Sequence, residues 1–402
     1  MNDPIIKVNT KRTADNSLTF TLANVDVSIA NGIRRTILTD IPVIGFDKET
    51  CIIEKNTSQF INEIIKHRLT CIPIMLDHYT DEKMEDILPK QYTMELDVEN
   101  NTNEELLVTT GDMVLINKET GAKVSQNELH KIFPKNPITG DHITFLRLRP
   151  QFSETIQGQA IKMKCDFGVF RAKQDSVYVP ASKCTYFNTV DEKEAKHAWE
   201  NKKVEFLKQF DSTTDSKKST KKDINEEEKF EKKNFDALEK YRHFKANSFD
   251  FTIKSVSFYS ESQLVIKACT TLTERVKKFI DNILRINDDN DSEDVGHNNV
   301  QIVFSHEATK YPSTMENSFD IIMQNEDYTL GNILQHFVYD LFYMGEKTVA
   351  YCGFQKFHPH DTESVLRVAF IKATTHDIVV DTLKTASLKA TDVLNKIIRS
   401  KF

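Results

Sequence analysis

Residues 22–42, LANVDVSIANGIRRTILTDIP, leave a chain few choices. Asp26 is a side chain suited to capping a helix, and Pro42 cannot continue a helical ladder, so the spacing predicts a helix between them. At about 100° per residue, Ile29, Ile33 and Ile37 form one apolar stripe that Ala30 widens. Val27 and Leu38 fall on the far side beside Asn31 and Arg34, with Arg35 further round. A surface helix ordinarily buries one face and wets the other. Here the outward face carries apolar and hydrogen-bonding groups and two adjacent cations. Two readings stay open: a mostly buried helix with solvated arginines, or a helix packed on its own sheet and also offered to another protein.

Around that helix the pattern is mixed. Residues 5–22 alternate about Leu18, Phe20 and Leu22, which predicts a strand or hairpin. FINEIIKHRLTCIPI (60–74) reads as a short amphipathic helix closed by Pro73. Residues 91–116 and 143–190 have a strand-rich texture. Residues 191–246 change character, with dense charge of both signs and almost nothing to bury, and predict a solvated, partly disordered or transiently helical insertion. FDFTIKSVSFY (249–259) is a strand; Ser260 and Gln263 then form a capping box for a helix carrying Val265, Ala268, Cys269, Leu272, Val276, Phe279, Ile280 and Ile283. Residues 286–299 are an acidic linker, and their glycine and closing glutamate are misplaced for a calcium loop. The opening plan then recurs. Strands at 300–304 and 318–323 precede a helix capped near Asp327 or Thr329, with Leu330, Ile333, Leu334, Phe337, Val338, Leu341 and Phe342 as its apolar face. Two more strands precede a last helix bearing Leu383, Ala386, Ala390, Val393, Leu394, Ile397 and Ile398.

The fold class this implies is α+β. Residues 1–46 and 248–285 form a discontinuous first unit, and 47–190 a β-rich insert domain. Residues 191–247 are a charged insertion, 286–299 the linker, and 300–402 a second unit. Two such units suggest a pseudo-symmetric pair packed helix against helix. The pairing core would be Ile29, Ile33, Ile37, Leu272, Phe279, Leu330, Leu334, Phe337, Leu341, Val393 and Ile397.

At 402 residues the chain can hold two or three cores. The net charge of −7 argues against non-specific attraction to phosphate. No run reaches the ~20 apolar residues of a membrane span, and the first residues lack a signal pattern, which predicts a cytosolic setting. The six cysteines are far apart without zinc spacing, and no GxxxxGK or GxGxxG loop is present. No nucleophile elbow or cluster of carboxylates for magnesium is seen, so a small hydrolase ranks low. A DNA-binding transcription factor is the other alternative, and the acidic balance speaks against it.

Residues 22–42, followed by IEKNTSQFINEIIKHRLTCIPI, strongly resemble the signature of the alpha-type subunits of multisubunit RNA polymerases: bacterial alpha, the archaeal D-type chain and the eukaryotic third-largest subunit. Asn31, Arg34, Arg35, Asp40, Pro42, Asn56, Thr57, Ser58, Glu63, His67, Arg68, Leu69, Ile72 and Pro73 sit at matching places. SVYVPASKCTYFN (176–188) resembles the family's H-x-x-W-x-P-V segment without its His and Trp. QNEDYTLGNILQHFVYD resembles the E-D-H-T-L-G-N motif of the small partner, the archaeal L-type chain or the eukaryotic eleventh subunit. Gly353, Phe354, His358 and Pro359 stand for its G-Y-x-x-x-H-P. Thr70 and Asp40 replace the usual glycine and glutamate.

The resemblance implies a natural fusion of the two alpha-like subunits, most like the polymerase of a large nucleo-cytoplasmic DNA virus, placed in the host cytoplasm and the virion. If the source is not viral, the setting is the nucleus or cytoplasm. It implies a non-catalytic assembly platform that pairs its halves intramolecularly and docks the largest and second-largest subunits, with small subunits nearby. DNA would be reached only through the complex, with no membrane and no homo-oligomer. The resemblance singles out Arg34, Arg35, Asn31, Leu38, His67 and Arg68 as partner contacts, and Asp327, Thr329, Gly331 and Asn332 as helix-shaping residues. His358, His360 and Asp361 read as a turn. The cysteine cluster that holds zinc or iron–sulfur in some relatives is missing, so no metal or other cofactor is expected.

Overall fold

The structure is a computed structural model that describes residues 3–8, 12–75, 91–151, 157–213, 221–288, 299–305, 307 and 313–400. In chain order the strands and helices begin with β1 (Ile5–Val8), β2 (Leu18–Ala23), α1 (Val27–Thr39), β3 (Val43–Phe46), β4 (Ile52–Asn56) and α2 (Asn62–Thr70). Next come β5 (Tyr92–Glu99), β6 (Leu106–Thr109), β7 (Val114–Asn117), α3 (Gln126–Ile132), β8 (Thr144–Leu148), β9 (Ala160–Phe170) and β10 (Ala181–Val190). They continue with α4 (Glu192–Thr213), α5 (Lys221–Asn234), β11 (Phe244–Ser255) and α6 (Glu261–Asp288). The last are β12 (Val300–Phe304), β13 (Ser318–Gln324), α7 (Tyr328–Val338), β14 (Val349–Gln355), β15 (Glu363–Phe370) and α8 (His376–Arg399).

The chain divides into two compact units. The first holds Met1–Arg34, Cys184–Ile253 and Leu272–Phe402 and contains two four-stranded sheets, ordered β1-β2-β11-β10 and β12-β13-β15-β14. The two sheets have the same plan. In each, two strands precede a helix (α1 or α7); a second pair of strands follows, with its later member beside the second strand, and then a longer helix (α6 or α8).

The likeness extends to single residues. Asn16 and Asn317 each adopt a positive φ just before β2 and β13, and each is followed by a buried serine, Ser17 or Ser318. Asn24 and Asn325 turn the chain out of those strands with φ of 62° and 59°. Two residues on, Asp26 accepts the Ser28 N–H at 2.8 Å and Asp327 accepts the Thr329 N–H at 2.9 Å. Asparagine tolerates the left-handed region better than most residues, and a carboxylate satisfies an orphan N–H of a helix's first turn. All these pairs stand at one constant spacing in the sequence.

Alternation fills the cores of the sheets. Phe20 and Phe251 stack across β2 and β11 at 5.1 Å, and Phe319, Ile321 and Met323 of β13 face the same side as Leu366 and Val368 of β15. Ile29, Ala30 and Ile33 of α1, and Leu330, Ile333, Leu334 and Phe337 of α7, are buried. So are Leu272 and Phe279 of α6 and Val393 and Ile397 of α8. Leu341, expected in the pairing core, is half-buried, whereas its neighbour Phe342 on the same expected face is buried. Residues Tyr339–Gly345 form a π-helical turn, whose wider winding rotates side chains off the 3.6-residue stripe.

The charged insertion also departs from expectation. Its described residues form α4, α5 and a π turn, Phe235–Glu239, so the helical alternative is the one seen, and it buries more than the composition suggests. Phe235 is 2% exposed, 5.5 Å from the Trp199 ring, and Lys232 lies over both rings at 4.9 and 5.2 Å. Two aromatics and one cation make a small core inside a polar composition. Residues 289–298 of the expected acidic linker, and 214–220 of the insertion, lie outside the described residues.

The second unit, Arg35–Lys183 with Lys254–Thr271, is built on the sheet β3-β9-β5-β7, with β4 also pairing β9, and on the small sheet β6-β8. Its core gathers Phe46, Ile65, Leu69, Met94, Leu96, Phe133, Phe145, Ile161, Met163 and Phe167. Two boundaries of the expected insert move. β3, placed in the first unit by sequence, pairs with β9, and β10, placed in the insert, neighbours β11 in the sheet with β1 and β2. A strand belongs where its hydrogen bonds go, and its own residues carry no signal of that partner. The expected capping box is present in this unit: Ser260 N–H donates to Gln263 Oε1 at 2.8 Å, and Gln263 N–H donates to Ser260 Oγ at 3.3 Å.

Candidate assembly interface

Within the first unit, elements from the two ends of the chain meet. Gly32 on α1 is close enough to α7 that a Cβ there would lie 2.9 Å from Ile333 Cδ1, and 3.7 Å from Leu272 Cδ1 of α6. This is a helix crossing that a side chain would prop apart. At the capped ends, His336 Nδ1 of α7 lies 3.5 Å from Asp26 Oδ1, and Arg275 of α6 binds Glu326 and, at 3.4 Å, Asp327. Lys396 Nζ of α8 lies 2.9 Å from Asp3 beside β1. The hydrogen bond to Asp392 raises the lysine's pKa most strongly, and the contact with Asp3 adds to it.

Asn31 and Arg34 are brought together. Arg34 Nε and Nη2 donate to Asn31 Oδ1 at 3.1 and 3.0 Å, so one turn of α1 holds the guanidinium in a fixed pose, half-buried. Nearby, burial pushes the Cys184 thiol up to about 12, and the Arg34 charge opposes it. The cleft between α1 and α7 is lined by Asp26, Ser28 and Asn31 on one side and Asn332, Gln335 and His336 on the other; Val27 and Tyr339 are exposed at its rim.

Asp327, Thr329, Gly331 and Asn332 lie on one turn. Asp327 is the cap, Thr329 is buried, and a Cβ on Gly331 would strike the Phe354 ring. His358, His360 and Asp361 form a turn in which the Asp361 N–H donates to the His358 carbonyl at 3.0 Å. Among the described residues, no group of three or more His, Cys, Asp or Glu could hold a metal ion, and no helix is long and apolar enough to cross a membrane.

In the second unit, Arg35 and Leu38 lie on the last turns of α1. Arg35 is half-buried and its carbonyl accepts the Thr39 hydroxyl at 2.9 Å, and Leu38 is half-buried as well. Arg68 is anchored: its Nε donates to the Phe145 carbonyl at 2.8 Å, and its guanidinium lies 5.4 Å from the Phe60 ring centre. His67 is exposed one residue earlier. Sequence reasoning missed the apolar neighbours Ile52, Phe60, Ile61 and Ile64, all exposed on β4 and around the start of α2.

The profile described as the RNA polymerase Rpb3/Rpb11 dimerisation domain matches residues 19–276, well over half of the chain. The chain belongs to this family. The Rpb3/Rpb11 match runs from β2 through α1 and the strand-rich second unit into α6. Among relatives, the Dictyostelium discoideum DNA-directed RNA polymerases I and III subunit rpac1 is 27% identical over 179 residues, covering 40% of this chain and 45% of that protein. The Mus musculus RPAC1 subunit is 25% identical over 195 residues, covering 45% and 53%. Subunit Rpo3 of Pyrococcus horikoshii is 37% identical over 70 residues, covering 17% and 26%. The chain thus spans about half or less of the length of these Rpb3/Rpb11-type relatives.

Proposed function

We propose that this Rpb3/Rpb11-type chain is a non-catalytic assembly-platform subunit of a DNA-directed RNA polymerase. It carries both alpha-like halves on one polypeptide, pairs them intramolecularly and docks the two largest subunits. The observation that carries the reading is the repeated strand order of the first unit, with α1 and α6 from one half against α7 from the other around Gly32, Ile333 and Leu272. Residues 300–402 lie beyond the family match, and the support for them comes from the repeated plan and from the resemblance of their helix motif to the small partner subunit.

A covalent link holds the second half at an effective concentration of about millimolar. Against a micromolar free partner that is worth roughly 4 kcal/mol. Asn31, Arg34, Arg35, Leu38, His67 and Arg68 are the proposed contacts, because a guanidinium fork pairs strongly with carboxylates and carbonyls once desolvated. A fused pair of this kind suits a large nucleo-cytoplasmic DNA virus transcribing in the host cytoplasm. The test is recovery of the tagged chain from its source. The expected result is co-elution with the two largest polymerase subunits and one copy of this chain per complex; recovery without either large subunit would remove the proposal.

A further inference from the structure

All six cysteines are free thiols, and two of them face one another. β4 runs antiparallel to β9 with Ile53 opposite Met163 and Ile52 opposite Lys164, so one further step sets Cys51 opposite Cys165. Flanking bonds hold that register: Asp47 N–H donates to the Asp166 carbonyl at 2.9 Å, and Asp166 N–H donates to Thr50 Oγ1 at 3.2 Å. Both side chains are buried in the same core, and the Cys165 Sγ–H donates to the Asp47 carbonyl at 3.3 Å and the Asp166 carbonyl at 3.4 Å, on the loop and strand that flank Cys51. Opposed residues of an antiparallel pair have Cα atoms about 4.5–5.5 Å apart, inside the window of about 4.4–6.8 Å that a disulfide spans.

We propose that Cys51 and Cys165 are a latent redox pair that closes to a cross-strand disulfide when a peroxide reaches it. The neighbouring Cys165 thiol holds the Cys51 thiol below its ordinary pKa against the opposing effect of burial, while the same proximity raises Cys165. Cys51 therefore ionises first and is the attacking sulfur. Its thiolate takes one peroxide oxygen, the O–O bond breaks, and a hydroxide leaves and removes the Cys165 proton to become water. The Cys165 sulfur then displaces hydroxide from the Cys51 sulfenic acid, forming S–S and breaking S–O; that hydroxide takes up the proton Cys51 had released. Two thiols and one hydrogen peroxide give one disulfide and two waters. The sulfurs are oxidised and the peroxide oxygens reduced.

The bond ties the start of strand β4 to the central strand β9 of its sheet. β4 leads through residues 57–61 into α2, which carries His67 and Arg68, so oxidation fixes the base of that helix. In the test, the full-length chain is treated with hydrogen peroxide, blocked with iodoacetamide, denatured and digested without reductant for mass spectrometry. The expected product is a linked pair of peptides containing Cys51 and Cys165, two hydrogens lighter than the reduced pair and separated by dithiothreitol. Oxidised protein should also melt several degrees higher, and Cys51→Ala should lose both effects. Both thiols still reduced after treatment that oxidises the exposed Cys71, or a link from either one to a different cysteine, would overturn the proposal. Should Cys51→Ala fail to fold, the peptide map of the unaltered chain decides alone.

Discussion

Arg34 shows how a charge can be held ready at a surface. Its Nε and Nη2 both donate to Asn31, so the fork is already oriented, and in the proposed interface it would lose less freedom on binding. Arg34→Glu should leave the melting transition within about 1 kcal/mol of the unaltered chain, as expected of a partly exposed site, while abolishing co-purification with the second-largest subunit. Unchanged recovery would take that arginine out of the proposed interface. Gly32 is the opposite case, a residue defined by what it leaves out. With Ile333 Cδ1 only 2.9 Å from a hypothetical Cβ, Gly32→Val should cost about 1–3 kcal/mol through overpacking, read as a lower denaturant midpoint with an unchanged slope. No measurable loss would mean that α1 and α7 part easily. The sequence showed the stripe Ile29, Ile33 and Ile37 at once, because a helix encodes its face in local spacing. It did not show Gly32 as a point of contact, since what lies opposite a glycine is written elsewhere in the chain.

Helices and strands were legible to different degrees for the same reason. Caps and boundaries depend on neighbours within four residues, and the sequence placed Asp26, Ser260 and Asp327 where the structure uses them. Asp26→Ala and Asp327→Ala should each cost about 1 kcal/mol in a denaturation curve, with the Asp327 change also removing a carboxylate contact of Arg275. Equal stability of either variant to the unaltered chain would deny that cap its role. Strand partners depend on residues far away, so β3 and β10 lie in other sheets than their neighbours in sequence suggest. The small core of the insertion was masked by composition, because one tryptophan and one phenylalanine vanish among lysines and glutamates. Trp199 is the chain's single tryptophan, so its fluorescence reports on this element alone. Phe235→Ala should shift Trp199 emission to longer wavelength and cost the insertion about 3 kcal/mol, while near-native circular dichroism remains from the rest of the chain. An unshifted emission would mean that the two rings do not share a core.

For the molecule as a whole, the proposed intramolecular pairing predicts a monomer in sedimentation across a wide concentration range, because it would cover the apolar faces that otherwise seek a second copy. A stable homodimer would count against it. Shared topology was partly visible in the sequence as a recurring plan of strands and helices. The recurrence of Asn16, Ser17, Asn24, Asp26 and Asn31 as Asn317, Ser318, Asn325, Asp327 and Asn332 was equally present there, but five residues scattered over sixteen positions carry little weight until their backbone angles match.

The repeated sheet order has a consequence for supply. When two matching modules occupy one polypeptide, every round of translation delivers them in equal number. Neither can accumulate as an orphan or be recruited by another module's counterpart. Substitutions can then accumulate on one copy without altering its twin, and a descendant of a symmetrical ancestor can give its two flanks different tasks.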